Sequence, residues 1–213
     1  MNGEKSLLIL SVFYTIAVIG VGLLLYGRQK MGSETARKFI HAGVSNWIIF
    51  WYYGIRSLSV SLFFPILFIV LNSIFVFTPL KRLLGLKDAK RDMGLVYYPL
   101  ALGLVILLAY YSVISREIAL GAVLALGYGD AAAAIVGIRL GKHRYTVFGN
   151  AKSAEGSLAM FLVLAVIGCI TVQPSAPALL LIALVPTFFE AVTPFGLDNL
   201  TIPLSFAYLA VLV

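Results

Sequence analysis

Asp130 stands inside an apolar stretch and is followed by a loop that mixes glycines with cations, GYGDAAAAIVGIRLGKHRYTVFGNAKSAEGS over residues 127–157. A carboxylate placed in hydrocarbon costs about 3 kcal/mol on insertion scales, so it requires a partner. A metal ion is the partner that chemistry would supply; a helix–helix hydrogen bond or a basic side chain is the plainer one. Downstream, Gly137, Gly141, Gly149 and Gly156 are interleaved with Arg139, Lys142, His143, Arg144 and Lys152. Glycines let backbone N–H groups turn toward an anion, and the cations neutralise it. Ser153, Gly156 and Ser157 then open another apolar helix, whose N-terminus attracts phosphate through free N–H groups and its dipole. The stretch reads as a triphosphate cradle in which Gly137, Gly141, Lys142, Arg144, Lys152, Gly156 and Ser157 hold a nucleotide. It is not a Walker A loop, because Gly137 and Gly141-Lys142 are one residue too close and His143 stands where Ser or Thr is required. The rival reading is an ordinary basic loop.

Two further clusters frame this one. Arg37, Lys38 and His41, with Asn46 beyond them, open an apolar run. On a helix Arg37 and His41 share a face, which makes either a cationic patch with one imidazole or a set of snorkelling anchors. Near the other end Glu190 closes an apolar run, and Asp198 and Asn199 follow a Pro194-Phe195-Gly196 turn. Asp130, Glu190, Asp198 and Asn199 are all oxygen donors, the ligand type of Mg²⁺; Asn199 serves equally well as a helix cap. Residues 80–94, LKRLLGLKDAKRDMG, carry Lys87, Asp88, Lys90, Arg91 and Asp92 and read as a solvated turn. Tyr97 and Tyr98 after it suit an interfacial aromatic belt.

The elements that must position these residues are membrane helices. The chain is 61% apolar and 12% charged, with a mean hydropathy of +1.01, a balance that soluble domains seldom have. The clearest spans are residues 6–26, 58–77, 94–113 and 118–137; shorter ones are 39–55, 157–172, 176–192 and 200–213. An all-α bundle of seven or eight transmembrane helices, one integral membrane domain over residues 1–213, is expected. The first span has too little positive charge before it for a cleaved signal and is expected to stay. With the N-terminus outside, 13 of the 16 basic residues fall in cytoplasmic connections, Lys81, Arg82, Lys87, Lys90 and Arg91 among them; only Lys5, Arg56 and Arg116 lie outside. The net charge of +7 then reflects topology and anionic lipid, and calls for no nucleic-acid partner. Cys169, the one cysteine, is expected to be a small packing residue.

Arg37-Lys38 with His41, the GLVYYPL stretch from Gly94, Gly129-Asp130-Ala131 with Gly137, the loop through Lys152 to Glu155-Gly156-Ser157, and Glu190 with Asp198-Asn199 occur here in one order. In that combination the chain resembles the polyprenol kinase family, which includes dolichol kinase, phytol kinase, farnesol kinase and the CTP-dependent diacylglycerol kinase of yeast type. The resemblance implies a multi-helix membrane enzyme with CTP as phosphoryl donor, Mg²⁺ as cofactor and a lipid alcohol of prenol type as acceptor. Phosphoryl transfer, which needs mainly positioning and charge neutralisation, then suggests roles. Asp130, Glu190 and Asp198 hold the metal or take the hydroxyl proton, with Asn199 beside them. Lys142, Arg144 and Lys152 hold phosphates, and Lys38 and His41 meet a phosphate or the acceptor hydroxyl. The active site belongs at the cytoplasmic ends of the helices, where nucleotide and lipid can meet. The rival functions are a phosphatidate cytidylyltransferase, which releases pyrophosphate, and a transporter, in which the acids would line a pathway at the midplane.

Overall fold

Long runs of apolar side chains leave the backbone no partner in hydrocarbon except itself, and helices result. The computed structural model describes residues 2–79 and 92–213. It is 80% helical, with eight helical rods among the described residues. The rods are α1 (Asn2–Gly27), α2 (Ser33–Ser45) continued across a kink at Asn46 by α3 (Trp47–Gly54), α4 (Leu58–Phe77), α5 (Gly94–Tyr110), α6 (Arg116–Leu140), α7 (Ala154–Thr171), α8 (Ala176–Val192) and α9 (Asp198–Val211). Of these α1, α4, α6 and α7 are long and apolar enough to cross a membrane. The all-α bundle expected from hydropathy is the fold.

Several boundaries differ from the sequence expectation, for local reasons. The span expected over 94–113 ends at Tyr110, because Ser112 takes a left-handed φ of 58°. The next helix begins earlier than residue 118, since the Ser115 hydroxyl accepts from the Ile118 N–H and caps it. Ser153 caps α7 in the same way through the Gly156 N–H, so that helix reaches a full 18 residues. The final helix, short as it is, belongs to the core: Ile202, Phe206 and Ala207 are buried with Trp47, Ile48 and Trp51 of α3 and Leu126 of α6. Cys169 is exposed on the outer face of α7 rather than packed inside. The cations expected at Lys81, Arg82, Lys87, Lys90 and Arg91, with Asp88, lie outside the described residues.

The basic loop after α6 folds as a hairpin, β1 (Arg144–Val147) against β2 (Asn150–Ser153), antiparallel. Its two-residue turn has φ of 49° at Phe148 and 78° at Gly149, the paired positive values that match the twist of a tight hairpin. Gly156 lets α7 lie against α6, where an added Cβ would stand 2.5 Å from the Ala133 carbonyl oxygen.

Successive rods alternate in direction, and the contacts between their ends separate two polar layers. At one end Glu4 accepts from the Arg56 and Ser57 N–H groups, and Arg116 sits over the Trp51 ring and donates to the carbonyls of Trp51, Tyr52 and Ile55. At the other end the Asn72 amide donates to the Leu95 carbonyl, and the start of α5 meets the start of α9 at Gly94 and Asn199. That second end collects the hairpin, the beginnings of α2, α5, α7 and α9 and the last turns of α8.

Candidate functional site

Asp130 follows five residues of π-helix, Ala125–Gly129, inside α6. A π turn adds a residue without ending the helix, and such turns concentrate at functional sites. Gly127 brings α6 against α2, since a Cβ there would meet the Ala42 Cα at 3.5 Å, and Gly129 faces Leu164 and Met160 of α7. Asp130 thereby faces α2 from a buried position and forms an ion pair with Lys38, itself buried. His41, one turn on from Lys38, places Nε2 3.7 Å from the same carboxylate oxygen. The expectation that Arg37 shares this face is not met: Arg37 turns outward and holds Glu34 at 2.6 Å.

A second pair lies across the same end of the bundle. Lys152 leaves β2 and donates to Glu190, which is buried in the last turn of α8. Burial works against the Lys152 ammonium, but the adjacent Glu190 carboxylate outweighs it by charge and hydrogen bond, with Asp198 and Asp130 adding to the effect. Its pKa is raised above the ordinary lysine value, so Lys152 is a fixed cation at neutral pH. Asp198, at the start of α9, lies near enough for its charge to act on Asp130, Lys38 and Lys152. One field therefore joins three carboxylates and two lysines drawn from α2, α6, β2, α8 and α9.

The rest of the expected cradle is arranged differently. The hairpin register sets Lys152 opposite Tyr145 and Arg144 opposite Ser153, so the two cations leave opposite faces. Arg144 and Lys142 are exposed, and Arg144 Nε donates to the Gly141 carbonyl at 3.2 Å. Gly137, Gly141 and Gly156 serve the close approach of α6, the hairpin and α7 around Ser153: a Cβ on Gly137 would stand 3.1 Å from the Ser153 Oγ, and one on Gly141 2.9 Å from it. The Gly156 N–H is taken by Ser153, and the Ser157 hydroxyl bonds to the Tyr145 hydroxyl at 2.9 Å. Glu155 accepts from the His143 N–H and meets its ring nitrogen at 2.7 Å, clamping the hairpin to α7.

The donor set expected for Mg²⁺ does not fit a resident metal as it stands. Among the described residues no three carboxylate, imidazole or thiolate side chains are gathered around one point. Lysine ammonium groups occupy Asp130 and Glu190, and Asp198 accepts from both nitrogens of Asn199. The Asn199 amide also donates to the Gly196 carbonyl at 3.0 Å, closing the turn before α9.

Tyr98, which the sequence offers as a belt residue and as part of the GLVYYPL stretch, packs its ring on His41 with centroids 4.5 Å apart. Its hydroxyl and His41 Nε2 are buried without a hydrogen-bond partner. Chemically, this end of the bundle offers two lysines to an anion, carboxylates and an imidazole to a proton, and unsatisfied polar atoms to a small ligand.

A phytol kinase from Synechocystis sp. (strain ATCC 27184 / PCC 6803 / Kazusa) is 30% identical to this chain over 211 residues, covering 94% of this chain and 88% of that protein. No family model matches the chain. No solved structure matches it either.

Proposed function

This chain belongs to the polyprenol and phytol kinase family, and from that premise we propose that it transfers the terminal phosphoryl group of CTP to the hydroxyl of a membrane-held isoprenoid alcohol. The observation that carries the reading is the pair of buried lysine–carboxylate contacts, Lys38 with Asp130 and Lys152 with Glu190, at one polar end of an apolar bundle. Phosphoryl transfer asks a protein mainly for positioning and charge neutralisation. Two lysines that rest on carboxylates are held in place as cations and can change partner to phosphate oxygens when a nucleotide arrives.

In the step itself the alcohol oxygen bonds to the terminal phosphorus, the bond from that phosphorus to the bridging oxygen breaks, and CDP leaves with the bond's electron pair. The hydroxyl proton passes to the His41–Asp130 pair, whose atoms stand 3.7 Å apart. Lys38 and Lys152 steady the phosphates, with Asp198 setting the field around them. Mg²⁺ enters this proposal as the counter-ion that a nucleoside triphosphate brings with it, and no residue is assigned to hold it. The cytoplasmic side is proposed for the site because the positively charged connections gather at that end. CDP-lipid synthesis would draw on the same charges but release pyrophosphate.

The test is reconstitution with phytol, geranylgeraniol, a dolichol and diacylglycerol, with CTP or ATP labelled at the terminal phosphate. Label is expected in a prenyl monophosphate from CTP, and not with Asp130→Asn. Labelled pyrophosphate would replace the kinase reading with cytidylyl transfer; intact nucleotide with every alcohol would end both.

A further inference from the structure

Two buried polar atoms lack partners, and they sit on rings packed against each other; the imidazole one stands 3.7 Å from Asp130. These are Nε2 of His41 on α2 and the hydroxyl of Tyr98 in the first turns of α5, the rings tilted by 57°. An orphaned buried donor or acceptor is costly and calls for an explanation. Neither atom can be satisfied from within. Asp130 Oδ2 stands 3.7 Å from His41 Nε2, beyond hydrogen-bond length and already engaged by Lys38. Of the other orphaned side-chain atoms among the described residues, Arg116 Nε lies at the opposite end of the bundle and Thr201 Oγ1 on α9.

We infer that His41 and Tyr98 together form the receptor for the acceptor hydroxyl, with Tyr98 as an alcohol-binding residue. The inference rests on the lipid alcohol kinase reading. An alcohol carries one donor and two acceptor sites, so a single hydroxyl satisfies a tyrosine hydroxyl and an imidazole nitrogen whichever tautomer the imidazole adopts. A phosphate oxygen only accepts and an ammonium only donates, and a hydrocarbon does neither. The position is apt as well. An oxygen held by His41 Nε2 lies beside the Asp130–Lys38 pair, with the proton acceptor and a phosphate-binding cation both adjacent.

Tyr98→Phe is a clean variant, because it deletes an atom that has no internal partner and keeps the ring against His41. The reconstituted protein would be titrated with phytol and with phytene, the same chain without its hydroxyl, and assayed for KM toward each substrate. Wild type is expected to prefer phytol about fivefold or more, the worth of one or two neutral hydrogen bonds. Tyr98→Phe should lose about fivefold in phytol affinity while leaving phytene binding and the KM for CTP unmoved. His41→Leu should erase the remaining preference for phytol. Equal loss for both ligands, or no loss for either, would mean that the orphaned atoms hold only water, and would overturn the inference. If wild type phosphorylates no alcohol, the kinase reading fails, while the comparison of phytol with phytene still decides whether His41 and Tyr98 receive a hydroxyl.

Discussion

Lys38→Met should destabilise the protein strongly, and a second substitution should undo the damage without restoring function. The side chains of Lys38 and Asp130 are 9% and 6% exposed, so removing the ammonium strands a carboxylate that water cannot reach. Breaking a buried pair from one side costs about 3–5 kcal/mol. For a chain of this size each kcal/mol moves the unfolding midpoint by about 2–4 °C, so the single variant should melt roughly 6–20 °C lower. Replacing both charges, Lys38→Met with Asp130→Leu, removes the stranded group and should bring stability back to within about 1 kcal/mol of wild type. Phosphorylation should remain absent in the double variant, since the phosphate-binding cation and the proton acceptor are both gone. The assay is thermal unfolding in nanodiscs followed by the fluorescence of Trp47 and Trp51, which are buried in the core, run beside the labelled-CTP assay. A Lys38→Met protein as stable as wild type would refute the pairing. A double variant that still phosphorylated prenol would refute the role given to it.

Arg37→Ala, one residue away, should cost under about 1 kcal/mol, because its Glu34 partner is solvent-exposed, and should leave turnover within about twofold of wild type. Gly156→Ala would set a Cβ 2.5 Å from the Ala133 carbonyl oxygen and push α7 from α6; a loss of about 1–3 kcal/mol is expected on thermal unfolding. The raised pKa of Lys152 fixes the sign of its pH dependence. Its stabilisation is complete below the unfolded-state value and is lost as pH rises through the folded one. The difference in midpoint between wild type and Lys152→Arg should therefore be flat from about pH 7 to about pH 10 and change only above that; a change near neutrality would contradict the Lys152–Glu190 pair.

The sequence exposed the acids more fully than their partners. Asp130 and Glu190 were conspicuous because a carboxylate in an apolar run has no inexpensive place to go, and the structure pairs each with a lysine. Which cation each would find was not legible, since the pairs span 92 and 38 residues of chain. Helical periodicity also misleads here. The π turn over Ala125–Gly129 shifts the phase of everything after it by about one residue, roughly 100° around the axis. The hairpin escaped notice because its turn is Phe148-Gly149 rather than Asn-Gly or Asp-Gly, and its strands have only four residues each. The glycines of that loop suggest an anion cradle, and the space that a Cβ would take at Gly137, Gly141 and Gly156 is filled by Ser153 and the backbone of α6 and α7. For Tyr98 the GLVYYPL stretch gives no role beyond an aromatic belt, and its contact with His41 marks it out.

Pairing every buried charge also bears on how such a site can exist at a membrane boundary. A lone lysine or carboxylate at this depth would oppose both folding and insertion. Held in pairs, the same charges cost less, and they remain available because each lysine is tethered by a flexible stem and each acid by a rigid helix. An arriving triphosphate competes for the lysines with several negative oxygens at once, which a single carboxylate cannot match. In the proposed step, release of Lys38 would uncover the Asp130 carboxylate beside the His41 nitrogen, where the acceptor hydroxyl is to lose its proton. In the proposed kinase, the pairs that stabilise the resting bundle would keep Asp130 covered until a nucleotide draws Lys38 away. On this account, proton abstraction from the alcohol is suppressed until there is a phosphoryl group for it to attack.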